Sequence, residues 1–178
     1  SSTGTYYIKI DPESSKLHPG DYYFLQPTVS LQPTVSENLA DYSSDPAGVT
    51  VDLAANTATD GYGVTDAGLD ANNVRGSEFN DTITGDSGPN VLEGLDGRDT
   101  FTGGAGDDTV DGGDSIDVAV FAGASSEYTF SSSADGSTIT GTNTGNNETD
   151  TLRSIETLRF SDGEIYATYD TSNWSNPL

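Results

Sequence analysis

The sequence contains no cysteine and only six lysine and arginine residues, against 29 aspartate and glutamate residues. The absence of cysteine excludes disulfide bonds, so a secreted domain with this sequence needs another means of stabilisation. A formal net charge of -23 disfavours nucleic acid and anionic membranes as partners, since both repel an acidic surface. Six basic residues cannot pair with 29 carboxylates, and we therefore expect cations to be the partners of the acidic side chains.

Long apolar segments and the common catalytic motifs are also missing from the sequence. No run of 18 apolar residues predicts a membrane span, and no basic segment followed by an apolar run predicts a signal peptide. The chain has one histidine, His18, and neither an HExxH nor a GxSxG motif. We therefore expect a protein without catalytic activity and without membrane insertion.

The residues that are present favour an all-β fold. Apolar residues make up 32% of the chain, and β-branched and aromatic residues alternate with clusters rich in Gly and Asp. Such a pattern is typical of short strands joined by turns.

The N-terminal part of the chain differs from the rest. Residues 1–36 contain four of the seven prolines, and the sequence LQPTVS at 25–30 is repeated at 31–36. Proline at this spacing favours an extended chain, so we interpret residues 1–36 as an N-terminal arm or linker. Residues 37–75 then hold the first strands, with Val49, Val51 and Leu53 alternating, and a degenerate first repeat at 67–75.

A nine-residue period runs through residues 76–121. Glycine opens five consecutive units, position six is Asp or Asn, and position eight is apolar. The position-six residues are Asp81, Asn90, Asp99, Asp108 and Asp117. The position-eight residues are Ile83, Leu92, Phe101, Val110 and Ala119. Residues 122–170 lack the period and are predicted to form a C-terminal β cap that closes the stack, with 171–178 as a tail.

The period predicts a parallel β-roll, a β-helix-like solenoid in which two units make one coil of 18 residues. Successive coils stack at about 4.8 Å, so Asp81, Asp99 and Asp117 share one edge. Asn90 and Asp108 share the other. Carboxylates at that spacing repel by about 1 kcal/mol per pair in water. Calcium removes the repulsion, because it accepts six to eight carboxylate and carbonyl oxygens in a tolerant geometry. Zinc would require His or Cys ligands.

These units closely resemble the RTX, or hemolysin-type calcium-binding, repeat family. The unit GGAGDDTVD at 103–111 carries every fixed residue of the nonapeptide pattern, and the resemblance covers about residues 40–166. It implies that turn carbonyls at positions two and four join the aspartates as ligands. The carbonyl candidates here are Gly97, Gly104, Gly106 and Gly113. Asp96 and Asp114 are candidates for further oxygens, and sites that use Asn90 should be weaker.

The resemblance also implies a function. Proteins of this family leave Gram-negative bacteria by type I secretion, and calcium outside the cell then folds the repeat. We therefore expect an extracellular or cell-surface module that binds several calcium ions and has a structural role in a larger protein. The alternative is a self-assembling surface-layer, filament or adhesin subunit that uses its N-terminal arm. Loss of self-association on removal of residues 1–36 would favour that alternative.

Overall fold

The computed structural model describes residues 39–133 and 138–166, with the side chains of 164–166 excepted. The predicted arm at 1–36, His18 and the tail at 171–178 lie outside the described residues. No helix in the described ranges is both long and apolar enough to cross a membrane.

Fifteen short strands account for most of the regular structure in the described ranges. In chain order they are β1 (Leu39–Asp41), β2 (Thr50–Asp52), β3 (Thr57–Thr59), β4 (Thr65–Ala67), β5 (Asn73–Arg75), β6 (Thr82–Thr84), β7 (Val91–Glu93), β8 (Thr100–Thr102), β9 (Thr109–Asp111), β10 (Val118–Val120), β11 (Tyr128–Ser132), β12 (Thr138–Asn143), β13 (Thr149–Arg153), β14 (Thr157–Phe160) and β15 (Gly163–Tyr166). A 3-10 helix at Ser125–Glu127 precedes β11.

The repeat strands are three residues long because turn residues bound each of them on both sides. Only the middle residue of such a strand faces inward, as the alternation of side chains along a strand requires. Position eight of every unit is that middle residue, and all five position-eight side chains are at most 4% exposed. The predicted apolar column is therefore confirmed as the core of the repeat.

The strands form two sheets whose central parts are parallel. One sheet has the order β1-β5-β7-β9-β13-β12-β11, and the other has the order β15-β14-β10-β8-β6-β2-β3-β4. Consecutive repeat strands alternate between the sheets, and strands 18 residues apart pair in register, as Ile83 pairs with Phe101. This arrangement is the predicted parallel β-roll.

The parallel stack extends beyond the predicted repeat boundaries of 76 and 121. On the N-terminal side, β1 pairs with β5 and β2 pairs with β6, both parallel. On the C-terminal side, β13 and β14 pair parallel with β9 and β10. Parallel pairing therefore continues into the predicted entry segment at 37–75 and the predicted cap at 122–170, because strand pairing does not require the nine-residue spacing.

The C-terminal end of the roll is closed by strands β11 to β15, which we call the cap. Antiparallel strands β12 and β11 extend one sheet and β15 extends the other. Phe121, the last apolar residue of the roll, contacts three cap rings, those of Tyr128, Phe130 and Phe160, at centroid distances of 4.9, 5.8 and 5.2 Å. The aromatic cluster buries the end of the core and shields it from water.

Candidate metal centre

The turns between the two sheets place the position-six residues in two columns. The turns 76–81, 94–99 and 112–117 lead into β6, β8 and β10, which are neighbours in one sheet, and we call this side the first edge. The turns 85–90 and 103–108 lead into β7 and β9 of the other sheet and form the second edge. The structure thus brings together the residues that the period assigned to each edge.

A ladder of hydrogen bonds links the residues of each column. The backbone N–H of Asp81 donates to Oδ1 of Asp99 at 2.8 Å, and the N–H of Asp99 donates to Oδ1 of Asp117 at 2.8 Å. On the second edge, the N–H of Asn90 donates to Oδ1 of Asp108 at 2.9 Å. One carboxylate oxygen of each aspartate therefore satisfies the backbone of the preceding coil.

The second carboxylate oxygen of three of these aspartates has no such partner. Asp99, Asp108 and Asp117 are at most 1% exposed. Within the described part of the chain, their Oδ2 atoms are buried and accept no hydrogen bond. Burial of a charged oxygen without a partner has a large free-energy cost, which a bound cation would offset. Each of these three atoms is therefore a candidate cation ligand.

The backbone of the same three turns has an unusual conformation at positions two and four. Positive φ angles occur there at Leu95, Gly97, Gly104, Gly106, Gly113 and Ser115. Leu95 and Ser115 adopt φ angles of 79° and 98° although they are not glycine, so the turn imposes this conformation at a cost. The candidate carbonyls at Gly97, Gly104, Gly106 and Gly113 thus all lie in turns that also carry an unpartnered carboxylate oxygen.

The first turn of each edge is built differently. Both oxygens of Asp81 accept hydrogen bonds, Oδ1 from the Val49 N–H at 2.7 Å and Oδ2 from the Ser77 N–H at 2.7 Å. The side-chain oxygen of Asn90 accepts from the Asp86 N–H at 2.8 Å, and its amide donates to the Asn72 carbonyl at 2.7 Å.

Protein groups therefore satisfy Asp81 and Asn90, which the period had placed among the metal ligands. The polar residues at position two, Ser77 and Asp86, are the sequence signal for this difference. They stand where the best-matching unit has Gly104.

The two predicted accessory acids, Asp96 and Asp114, lie on the exposed surface of the first edge. They are paired as an isolated parallel bridge between stacked turns, and both residues are exposed. Nothing in their surroundings distinguishes their carboxylates from solvated ones.

Burial changes the acidity of the columns. Removal from water raises the pKa of Asp99 to about 7, and the carboxylates of Asp81 and Asp117 add to the rise, while the hydrogen bond from the Asp81 N–H opposes it. Burial likewise raises the pKa of Asp117 to about 6 and that of Asp150 to about 6. In the absence of a metal, burial therefore keeps these carboxyl groups protonated up to a higher pH than in the unfolded chain.

We expect the calcium-free roll to lose stability as the pH rises. A carboxyl group with a raised pKa holds a proton in the folded state that the unfolded chain has already released. Its contribution is complete below the ordinary value of 3.8 and is lost as the pH passes through the folded values of about 6 and 7. Far-UV circular dichroism of calcium-free protein at a series of pH values measures this effect as the amount of β structure, and a β signal that rises with pH would contradict it.

The donor set fits calcium. Carboxylate and carbonyl oxygens are its preferred ligands, and the three turns that end in Asp99, Asp108 and Asp117 contain both. Among residues 39–133 and 138–166, no three His, Asp or Glu side chains converge as a metal cluster. A Cβ atom on Gly94 would collide with Asp99 Oδ2 and the Gly112 carbonyl, so glycine at position one leaves room for these two oxygens to lie close together.

The fold and the site together define a calcium-binding parallel β-roll. The family model of the RTX calcium-binding nonapeptide repeat, which contains four copies, matches residues 66–88 and 84–119. Residues 66–119 therefore belong to the RTX repeat family, whose repeats bind calcium.

Part of the chain is similar to a solved bacterial structure. The crystal structure of extracellular lipase LipA from Serratia marcescens is 28% identical, with a TM-score of 0.46, over 49% of this chain and 14% of the lipase. The chain thus spans a small part of that protein's length. No curated protein matches the chain.

Proposed function

We propose that this chain is a structural module of a larger secreted or cell-surface protein, and that calcium drives its folding outside the cell. The observation that carries the proposal is the set of three buried carboxylate oxygens, on Asp99, Asp108 and Asp117, that lack a protein partner within the described ranges. A folded roll without metal leaves these groups uncompensated, so metal binding and folding are coupled.

In this proposal the ligands are divided by turn. Asp99, Asp108 and Asp117 supply carboxylate oxygens, and the turns that contain Gly97, Gly104, Gly106 and Gly113 supply carbonyl oxygens. Asp81 and Asn90 instead close the N-terminal end of each column through their own hydrogen bonds. Several calcium ions would then line the two edges. The ions would neutralise the columns, and the chain's own residues would fix the register of the coils.

The secretion route follows from the same coupling. Where calcium is scarce, repulsion within the columns keeps the repeat unfolded and able to pass through a type I secretion channel. Extracellular calcium modules have dissociation constants of about 10⁻⁴–10⁻³ M, so such a module folds after it leaves the cell. The role is structural and not catalytic in this proposal, since each buried acid of the columns hydrogen-bonds the backbone of a neighbouring coil.

Limited proteolysis of the full chain tests this proposal. We expect residues 39–166 to resist a nonspecific protease in millimolar calcium and to be degraded rapidly in excess chelator, because the unfolded chain is the cleavable species. Magnesium at the same concentration serves as the control, since it prefers a rigid shell that retains water. Equal protection in chelator and in calcium would contradict the proposal.

A further inference from the structure

The two acid columns continue past the last repeat into the cap. The backbone N–H of Asp108 donates to Oδ1 of Asp150 at 3.1 Å, and the N–H of Asp117 donates to Oε2 of Glu156 at 2.9 Å. Within the repeat, the same bond joins each position-six residue to the next one in its column. Asp150 and Glu156 therefore act as position-six residues, although they lie 42 and 39 residues further along the chain rather than 18.

Strand register supports this equivalence. The residue after Asp150 is Thr151, which pairs with Thr109, the residue after Asp108. The residue after Glu156 is Thr157, which pairs with Val118, the residue after Asp117. Each cap acid thus immediately precedes the first residue of its strand that pairs in parallel with the roll, and position-six residues of the repeat precede such a residue too.

The cap also reproduces the position-one carbonyl on the first edge. In the repeat, a Cβ atom on Gly94 would collide with Asp99 Oδ2 and the Gly112 carbonyl. A Cβ atom on Gly112 would meet Asp117 Oδ2 and the Ser154 carbonyl in the same way. Ser154 has a φ of 50°, a left-handed conformation that is rare for serine. The strained residue places a carbonyl oxygen beside the unpartnered oxygen of Asp117.

An independent observation points to a ligand at both places. Asp108 and Asp117, the last aspartates of the two columns, are 1% and 0% exposed, and their Oδ2 atoms have no hydrogen-bond partner in the described structure. Each of these two aspartates also donates its backbone N–H to a carboxylate of the cap, so a second acidic side chain lies next to the buried aspartate on each edge.

We propose that Asp150 and Glu156 are calcium ligands, which complete an ion site with Asp108 on the second edge and with Asp117 on the first edge. The cap is then part of the metal-binding unit. It adds one acidic residue to the end of each column, and neither residue belongs to the nonapeptide period. This proposal rests on the calcium-dependent function proposed above.

The test uses the full-length chain with Asp150→Asn and Glu156→Gln. Both amides retain a side-chain oxygen that can accept the ladder hydrogen bond, so only the charge and the strength of the ligand change. We expect each variant to bind one calcium ion fewer than the wild type at a concentration that saturates the wild type. The calcium midpoint of folding should also rise by on the order of tenfold, because ligand charge sets the affinity of such sites. Asp66→Asn removes the same charge from β4, at the opposite end of its sheet, and should leave both values unchanged.

The possible outcomes separate this inference from the proposed function. A wild-type chain that takes up no calcium would overturn the proposed function. A wild type that binds calcium, together with variants that keep the full count and midpoint, would overturn the inference alone. If Asp150→Asn fails to fold in saturating calcium, Asp150→Glu decides, since it restores the charge. Folding of the Glu variant with the full calcium count supports the ligand role, and its failure to fold contradicts it.

Discussion

Replacement of Asp99 by Asn is expected to raise the calcium concentration needed for folding by at least about tenfold. Asp99 is the central residue of the first edge. Its Oδ1 accepts the Asp81 N–H, its own N–H donates to Asp117, and its Oδ2 is buried without a partner among the described residues. Asparagine can keep the ladder bond with its amide oxygen, but it is neutral and replaces the unpartnered oxygen with an NH2 group, which cannot bind a cation. The loss should therefore appear in calcium affinity more than in the fold reached at saturation.

The measurement is a calcium titration of the variant followed by far-UV circular dichroism. Asp66→Asn is again the matched control, because it removes the same charge from strand β4, at the far edge of the sheet from the cap and outside both columns. The control should titrate close to the wild type. An Asp99→Asn variant with an unchanged midpoint would show that the unpartnered oxygen does not bind the ion.

Replacement of Phe101 by Ala is expected to destabilise the calcium-saturated roll by about 3–5 kcal/mol. The ring is 1% exposed and lies at the middle of β8, between Ile83 and Ala119 in the neighbouring coils. Ala119 is small, so the phenyl ring fills space that its neighbour cannot occupy. Its loss should leave a cavity in the narrow core, because three-residue strands allow little rearrangement.

Urea unfolding in saturating calcium measures this effect. Phe79→Ala provides the matched control, since the Phe79 side chain is 46% exposed on the first edge. It should change the free energy of unfolding by no more than about 0.5 kcal/mol. Equal losses for the two variants would show that the position-eight column is not the core of the folded roll.

The fold could be predicted from the sequence because the spacing of the repeat determines which strands are neighbours. A fixed spacing of nine residues places Ile83 and Phe101 in register, and the apolar column identifies which side chain of each short strand faces inward. Asp99 stacks on Asp117 for the same reason, because the two residues are 18 positions, or one coil, apart. These features depend only on period and strand spacing, and no tertiary contact is needed to derive them.

The details of the site depend on contacts that the period does not reveal. Asp81 and Asn90 occupy the same column position as Asp99, yet Ser77 and Asp86 satisfy their side chains locally. Asp150 and Glu156 accept the same backbone hydrogen bond as the position-six residues, but they do not follow the 18-residue spacing of the columns. The spacing is lost because a hairpin and a short turn replace the regular coil. The sequence could therefore predict the columns, but not where each column ends.

The most direct test of calcium-driven folding is a titration of calcium-free, full-length protein that records the β signal and the number of bound ions together. Our account predicts little β structure in excess chelator, followed by its cooperative appearance as several calcium ions bind in millimolar or lower calcium. A full β signal in excess chelator, or folding without calcium uptake, would contradict the account.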